Sequence, residues 1–155
     1  MNCKKFFAGV LVCVLSVVWL STTVMAVGTS AKEEISLKNM EKSYFHLFSI
    51  ESEGDSFSPY ALGTINTTIS PNSIVAVREQ LPMGADETVT INCSFNPASA
   101  SLDFGLIDSD NVFHYINVTG GSINETIHID ERGDYTFAIR NKSSVSVSVV
   151  GFLNY

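Results

Sequence analysis

The clearest order in the chain is an alternation of apolar and polar side chains. Val89, Ile91, Cys93 and Phe95 fall on one phase, with Thr88, Thr90, Asn92 and Ser94 between them. A period of two sends these sets to opposite faces of an extended strand. The pattern returns in Leu102, Phe104 and Leu106 against Asp103 and Gly105, and in Tyr135, Phe137 and Ile139 against Thr136, Ala138 and Arg140. It returns again in Val145, Val147 and Val149 against Ser144, Ser146 and Ser148. Further strand-like stretches lie at 60–69, 74–81, 112–118 and 123–129. Turn formers separate them, among them Ser70-Pro71-Asn72-Ser73, Asn96-Pro97, Asp108-Ser109-Asp110-Asn111 and Gly120-Gly121. About eight short strands with one polar face predict an all-β, antiparallel β-sandwich over residues 59–155, of jelly-roll type.

Residues 27–58 read differently, as an N-terminal extension or linker. Ser30 and Glu33 have the spacing of a capping box, and Leu37, Met40, Tyr44 and Leu47 recur at steps of three or four. That spacing predicts a short N-terminal helix, although Phe45–Ile50 also fits a strand. Residues 1–26 have the composition of a secretory signal. Lys4 and Lys5 precede an apolar run from Phe6 to Leu20, and Val24-Met25-Ala26 supplies small residues for cleavage after Ala26. A run of about fifteen residues is shorter than a membrane-spanning helix requires. Secretion to the extracellular space or cell surface is the expectation, with membrane contact only through this segment if it stays uncleaved.

Charge narrows the partners. The chain carries a formal charge of −7, and loss of the two signal lysines takes it to −9. Such a surface repels phosphate backbones, so nucleic acid is not an expected partner. Cys3 and Cys13 lie in the signal, leaving Cys93 as the one cysteine after it. An exported domain without an internal disulfide relies on its core, which suits a bacterium with little disulfide use. The sequons at Asn66, Asn92, Asn117, Asn124 and Asn141 are then coincidences of an Asn/Ser/Thr-rich strand protein.

Candidate chemistry is sparse. Cys93 shares the apolar phase and reads as core rather than nucleophile. His46, His114 and His128 have no ligand-like spacing. Asp108 and Asp110, with Asp103 and Asn111 as further oxygens, are a candidate calcium site, but the same residues make an ordinary turn. No catalytic residue, metal ligand or cofactor motif is identified. The remaining resource is aromatic: Tyr60, Phe113, Phe152 and Tyr155 are candidate ligand-facing side chains of the kind that stack on sugar rings.

Within residues 74–155, Glu87–Ile91, Pro97–Leu106, Gly121–Ile123, Arg132–Asn141 and Gly151–Tyr155 form a set of turn and strand motifs. On these motifs the stretch resembles small secreted β-sandwich modules of Gram-positive bacteria. The stretch is also similar to the C-terminal extracellular module of antibiotic-sensing-type membrane metallopeptidases. More distantly, it resembles the pre-peptidase C-terminal-like jelly rolls. These motifs are turn and core residues, so the resemblance implies fold and compartment and transfers no site. The His-Glu-x-x-His motif of a metallopeptidase does not occur. The expectation is a non-enzymatic binding or interaction module at or near the cell surface, with a protein or cell-envelope carbohydrate as ligand. The alternatives are an accessory domain partnering a secreted peptidase, and a hydrolase whose site forms only in three dimensions.

Overall fold

In the computed structural model, residues 33–44, 51–52 and 62–155 are described, with eleven strands among them. Three are short: β1 (Ile35–Ser36), β2 (Glu41–Tyr44) and β3 (Glu51–Ser52). Eight longer ones follow: β4 (Leu62–Ile69), β5 (Ile74–Met83), β6 (Thr88–Asn96), β7 (Leu102–Ile107), β8 (Val112–Val118), β9 (Ser122–His128), β10 (Gly133–Asn141) and β11 (Val147–Asn154). They form a five-stranded sheet in the order β1-β9-β6-β11-β4 and a six-stranded sheet in the order β2-β8-β7-β10-β5-β3. The protein is an all-β sandwich. The longer strands pair antiparallel, whereas β1 on β9 and β3 on β5 are short parallel pairs at sheet margins.

The core forms where the inward phases of the two sheets meet. Ile65, Ile69, Val89, Ile91, Cys93, Phe95, Ile123, Ile127, Val147, Val149 and Leu153 come from the five-stranded sheet. Leu102, Phe104, Leu106, Tyr135, Phe137 and Ile139 come from the other, and Phe95 and Phe104 approach to 6.1 Å between ring centroids across the interface. Each fully buried aromatic or branched aliphatic side chain contributes about 1.5–3 kcal/mol of transfer free energy.

The structure corrects the sequence reading in three places. No helix spans the Leu37, Met40, Tyr44 periodicity. Leu37 opens one turn of 3-10 helix (Leu37–Asn39) that follows β1, Met40 closes that turn, and Tyr44 ends β2. The turn buries Leu37 and Met40, while Tyr44 is 85% exposed. Backbone pairing with β9 and β8 competes successfully with the helical ladder, and Asp130 holds the turn. Its carboxylate accepts hydrogen bonds from Ser36 Oγ (2.8 Å) and the Lys38 N–H (2.9 Å). Eight of the eleven strands among the described residues, β4 to β11, lie in 62–155, and the short β1, β2 and β3 precede them. Val145 belongs to a turn and is exposed, so β11 begins at Val147. Phe113 is wholly buried. Ser30, His46, Leu47, Tyr60 and the expected cleavage point at Ala26 lie outside the described residues.

β7 departs from half-burial. All six of its residues are buried, polar phase included. Gly105 and Asp103 sit among them, and each answers a distinct constraint taken up below.

Candidate functional site

Three regions concentrate side-chain chemistry. The first is a cleft of about 190 Å³ at the end of the sandwich where the 3-10 turn crosses from one sheet to the other. It is lined by Leu37, Lys38, Lys42, Asp108, His114, Asp130, Glu131 and Tyr135. The β7–β8 turn builds its most ordered part. Asp108 Oδ1 accepts the N–H groups of Asp110 and Val112, both at 2.9 Å, which stabilises the turn containing Asn111 in left-handed backbone (φ 62°). Asp108 Oδ2 meets His114 Nε2 at 2.8 Å, while His114 Nδ1 is buried without a hydrogen-bond partner among the described residues. Tyr135 donates its hydroxyl to the Glu131 carbonyl at 2.8 Å.

Both carboxylates of this cleft that anchor structure stay ionised. Burial pushes the Asp108 carboxyl up, but hydrogen bonds from His114, Val112 and Asp110 outweigh it and hold it below the usual value. At Asp130 the Lys38 N–H is the main lowering influence, joined by Ser36 and the Lys38 charge against a smaller effect of burial. Neither therefore holds a proton to donate at neutral pH. The evident work of the Asp108–His114 pair is to fix the β7–β8 turn.

That role has a pH signature. A carboxyl whose folded-state value is depressed stabilises the fold above its unfolded value near 3.8, and this is lost as pH falls through the lowered folded value. Replacing Asp108 by alanine is expected to cost about 2 kcal/mol at neutral pH, since charged hydrogen bonds contribute about 1.5–3 kcal/mol. Urea titrations of both proteins should show the gap closing below about pH 4. A gap independent of pH would sink this account.

The sequence-nominated calcium oxygens are not gathered. Asp108 is turned into its own turn, Asp110 is exposed beyond it, and Asp103 lies at the opposite end of β7. Among the described residues no three His, Cys, Asp or Glu side chains are placed to hold a metal ion. Cys93 is 2% exposed. Burial pushes its thiol from the usual 9.0 up to about 11, against a lowering contribution from the Phe152 backbone, which leaves it protonated and unreactive at neutral pH.

The second region, which the sequence did not reveal, is an ionic layer on the outer face of the six-stranded sheet. Asp103, fully buried, is the cross-strand neighbour of Arg140. Arg140 donates Nε (2.7 Å) and lies with Nη2 at 2.6 Å from the same Asp103 Oδ2, and Asn117 Nδ2 donates to Oδ1. The guanidinium carbon stands 4.6 Å from the Tyr115 ring centroid and 5.4 Å from that of Phe113, and those two rings stack at 5.3 Å. Phe113 thus packs with Ile107 and Ala138 in a small second cluster. A polar residue inside the short apolar run Leu102–Ile107 was the available signal, since such a run marks a strand buried on both faces.

The third region is the outer face of the five-stranded sheet. Its registers align Asn124, Asn92, Phe152 and Thr64 in one row across four strands, and Ser122, Ser94, Val150 and Asn66 in the next. Thr126, Thr90 and Asn154 flank the first row; Asn96, Ser148 and Thr68 flank the second. None of these side chains is charged. Phe152 and Val150 are 37% and 51% exposed. Two hydroxyl pairs bond to each other, Thr90 with Thr126 at 3.1 Å and Thr68 with Ser148 at 3.4 Å.

The three nominated aromatics among the described residues therefore separate. Phe152 is outward on this face, and Phe113 is buried on the other sheet. Tyr155 is half-buried against the core, its hydroxyl accepting from Arg78 Nη2 at 3.1 Å. Tyr60 lies outside the described residues. The sequons divide as well: Asn66, Asn92 and Asn124 share the uncharged face, whereas buried Asn141 donates Nδ2 to the carbonyls of Ser70 and Val145. No protein-family model matches the chain, and no curated protein matches it.

Proposed function

We propose that the protein is an exported, non-enzymatic binding module that works at or near the cell surface. The observation that carries this reading is a block of uncharged rows at the centre of the outer face of the five-stranded sheet. In a chain of net charge −7, strands β4, β6, β9 and β11 present Ser, Thr and Asn around exposed Phe152 and Val150. Rows free of Asp, Glu, Lys and Arg are unusual on a surface that needs only solubility, where charged residues of both signs are the rule. The export signal in residues 1–26 supports the compartment. The resemblance to small secreted modules of Gram-positive bacteria agrees with it.

The fold reading is refined in the same proposal, as a jelly roll. Taking β4 to β11 as the first to eighth strands, one sheet runs first, eighth, third, sixth and the other second, seventh, fourth, fifth. That order is the path of two Greek keys wound across a sandwich.

Fractionation of a Gram-positive host expressing the full chain tests the functional reading. The product is expected outside the membrane with Val27 as its new first residue, and it should sediment with added cell walls. Confinement to the cytosol would overturn export. Release to the medium with no sedimentation on walls would overturn surface binding.

A further inference from the structure

We propose that the outer face of the five-stranded sheet binds an uncharged glycan strand, with Phe152 as the stacking platform. The inference rests on the binding-module reading and names its ligand. Its first support is the chemistry of the two central rows. Asn124, Asn92 and Thr64 share a row with Phe152, and Ser122, Ser94 and Asn66 share one with Val150. Among the described residues, the side chains of Asn66, Asn92, Asn124, Thr64, Ser94 and Ser122 make no hydrogen bond. Carboxamides and hydroxyls both donate and accept, as sugar hydroxyls do. The rows thus offer unspent amphiprotic groups around an exposed ring and an isopropyl group. A pyranose has the matching surface: an apolar face of C–H bonds edged by hydroxyls. Aromatic side chains supply flat apolar area with few rotatable bonds to freeze.

Charge selects the class of glycan. The two central rows carry no cation to receive a uronate or a phosphodiester; His128, at the margin of the face in the row of Thr88, already lies against Asp86 and Asp130, and the molecule as a whole is acidic. Anionic polymers are therefore repelled without local compensation, and a neutral strand is the ligand that suffers no such penalty. A second copy of the chain fits less well. Two such faces stacked together would bury amides against amides with only Val150 and Phe152 as apolar filling, whereas homodimer interfaces are about 65% apolar in area. The strand registers also suit an extended ligand. Successive rows on one face of a strand are spaced about 7 Å apart, so a chain of sugars can lie across more than one row.

The test uses the chain recovered from an exporting host, isotopically labelled, and titrated with cellohexaose and chitohexaose as neutral probes and oligogalacturonate as the anionic one. At least one neutral probe is expected to shift the side-chain amide signals of Asn66, Asn92 and Asn124 in a saturable way. The affinity should be unchanged between about 0.05 and 0.5 M salt. Phe152→Ala should weaken it by about tenfold or more, in a protein that circular dichroism still shows to be folded. Asn92→Asp, which places a charge beside Phe152, should weaken it as well. Absence of shifts with both neutral probes overturns the proposal, as does equal binding of oligogalacturonate or indifference to Phe152→Ala. Light scattering that finds a dimer dissolved by Phe152→Ala also overturns it, in favour of self-association. If the wild-type chain sediments with cell walls while any of these holds, the binding-module reading survives and only the glycan assignment falls. If it fails to sediment, the broader reading falls too.

Discussion

Gly105→Ala is expected to prevent stable folding, or to remove about 4 kcal/mol or more from it, a loss that belongs to the exceptional tail of single substitutions. Gly105 sits in the middle of β7, opposite Tyr115 on β8 and Ala138 on β10. A Cβ at this position would overlap the carbonyl oxygen of His114. It would also lie 2.8 Å from the His114 carbonyl carbon and from Tyr115 Cα. These are backbone atoms of a paired strand, so no side-chain rotation relieves the contact. Relief requires β8 to separate from β7, which breaks the ladder beneath the Asp108 turn and the Phe113 cluster. Gly120→Ala provides the contrast. Its φ is +94° and nothing lies within 4 Å of the added methyl group, so its cost is the conformational one alone, about 1 kcal/mol. Urea unfolding of the two variants measures the difference. Comparable midpoints would refute the close-approach account.

Why β7 was hard to read is visible in that same position. Gly105 fell on the polar phase of an alternating strand, where glycine reads as an indifferent surface residue. The alternation of β6 and β10 identified their inward residues, Val89 to Phe95 and Tyr135 to Ile139, because one face of each meets the core and period two survives. β7 is buried on both faces, and there the polar phase encodes what packs outside the sandwich. Pairing information was hidden for a related reason. The registers that bring Asn92 beside Phe152, or Asp103 beside Arg140, join residues remote in sequence. Most successive long strands also pass between sheets; β7 and β8 are the exception, pairing with one another across the Asp108 turn. Turn residues announce such connections without saying which strand is the neighbour. The uncharged character of each outward set was plain strand by strand. Its assembly into one face was not. Near the start of the described residues, spacing misled outright: Leu37 and Met40 are three apart, as in a helix, and are buried by a single 3-10 turn whose Lys38 N–H donates to Asp130, in the connection after β9.

Arg140→Met is expected to destabilise the fold by about 3–5 kcal/mol, the range for removing one partner of a buried ion pair. The cost follows from what remains. Asp103 has no exposed surface, and its Oδ2 now faces two guanidinium nitrogens at 2.6 and 2.7 Å. Without them, Asn117 alone is left to stabilise the charge. Methionine fills most of the volume over Tyr115 and Phe113, so lost packing is not the main effect. Two further variants separate charge from shape. Arg140→Lys keeps the charge but lacks the planar fork that spans Nε and Nη2 and lies flat over the Tyr115 ring, so it should recover only part of the loss. Asp103→Leu combined with Arg140→Met removes both charges, and should be far closer to wild type than Arg140→Met alone, because no unpaired charge stays buried. If the double variant is no better than the single one in urea unfolding, the Asp103–Arg140 pair is not what holds the outer layer of the six-stranded sheet.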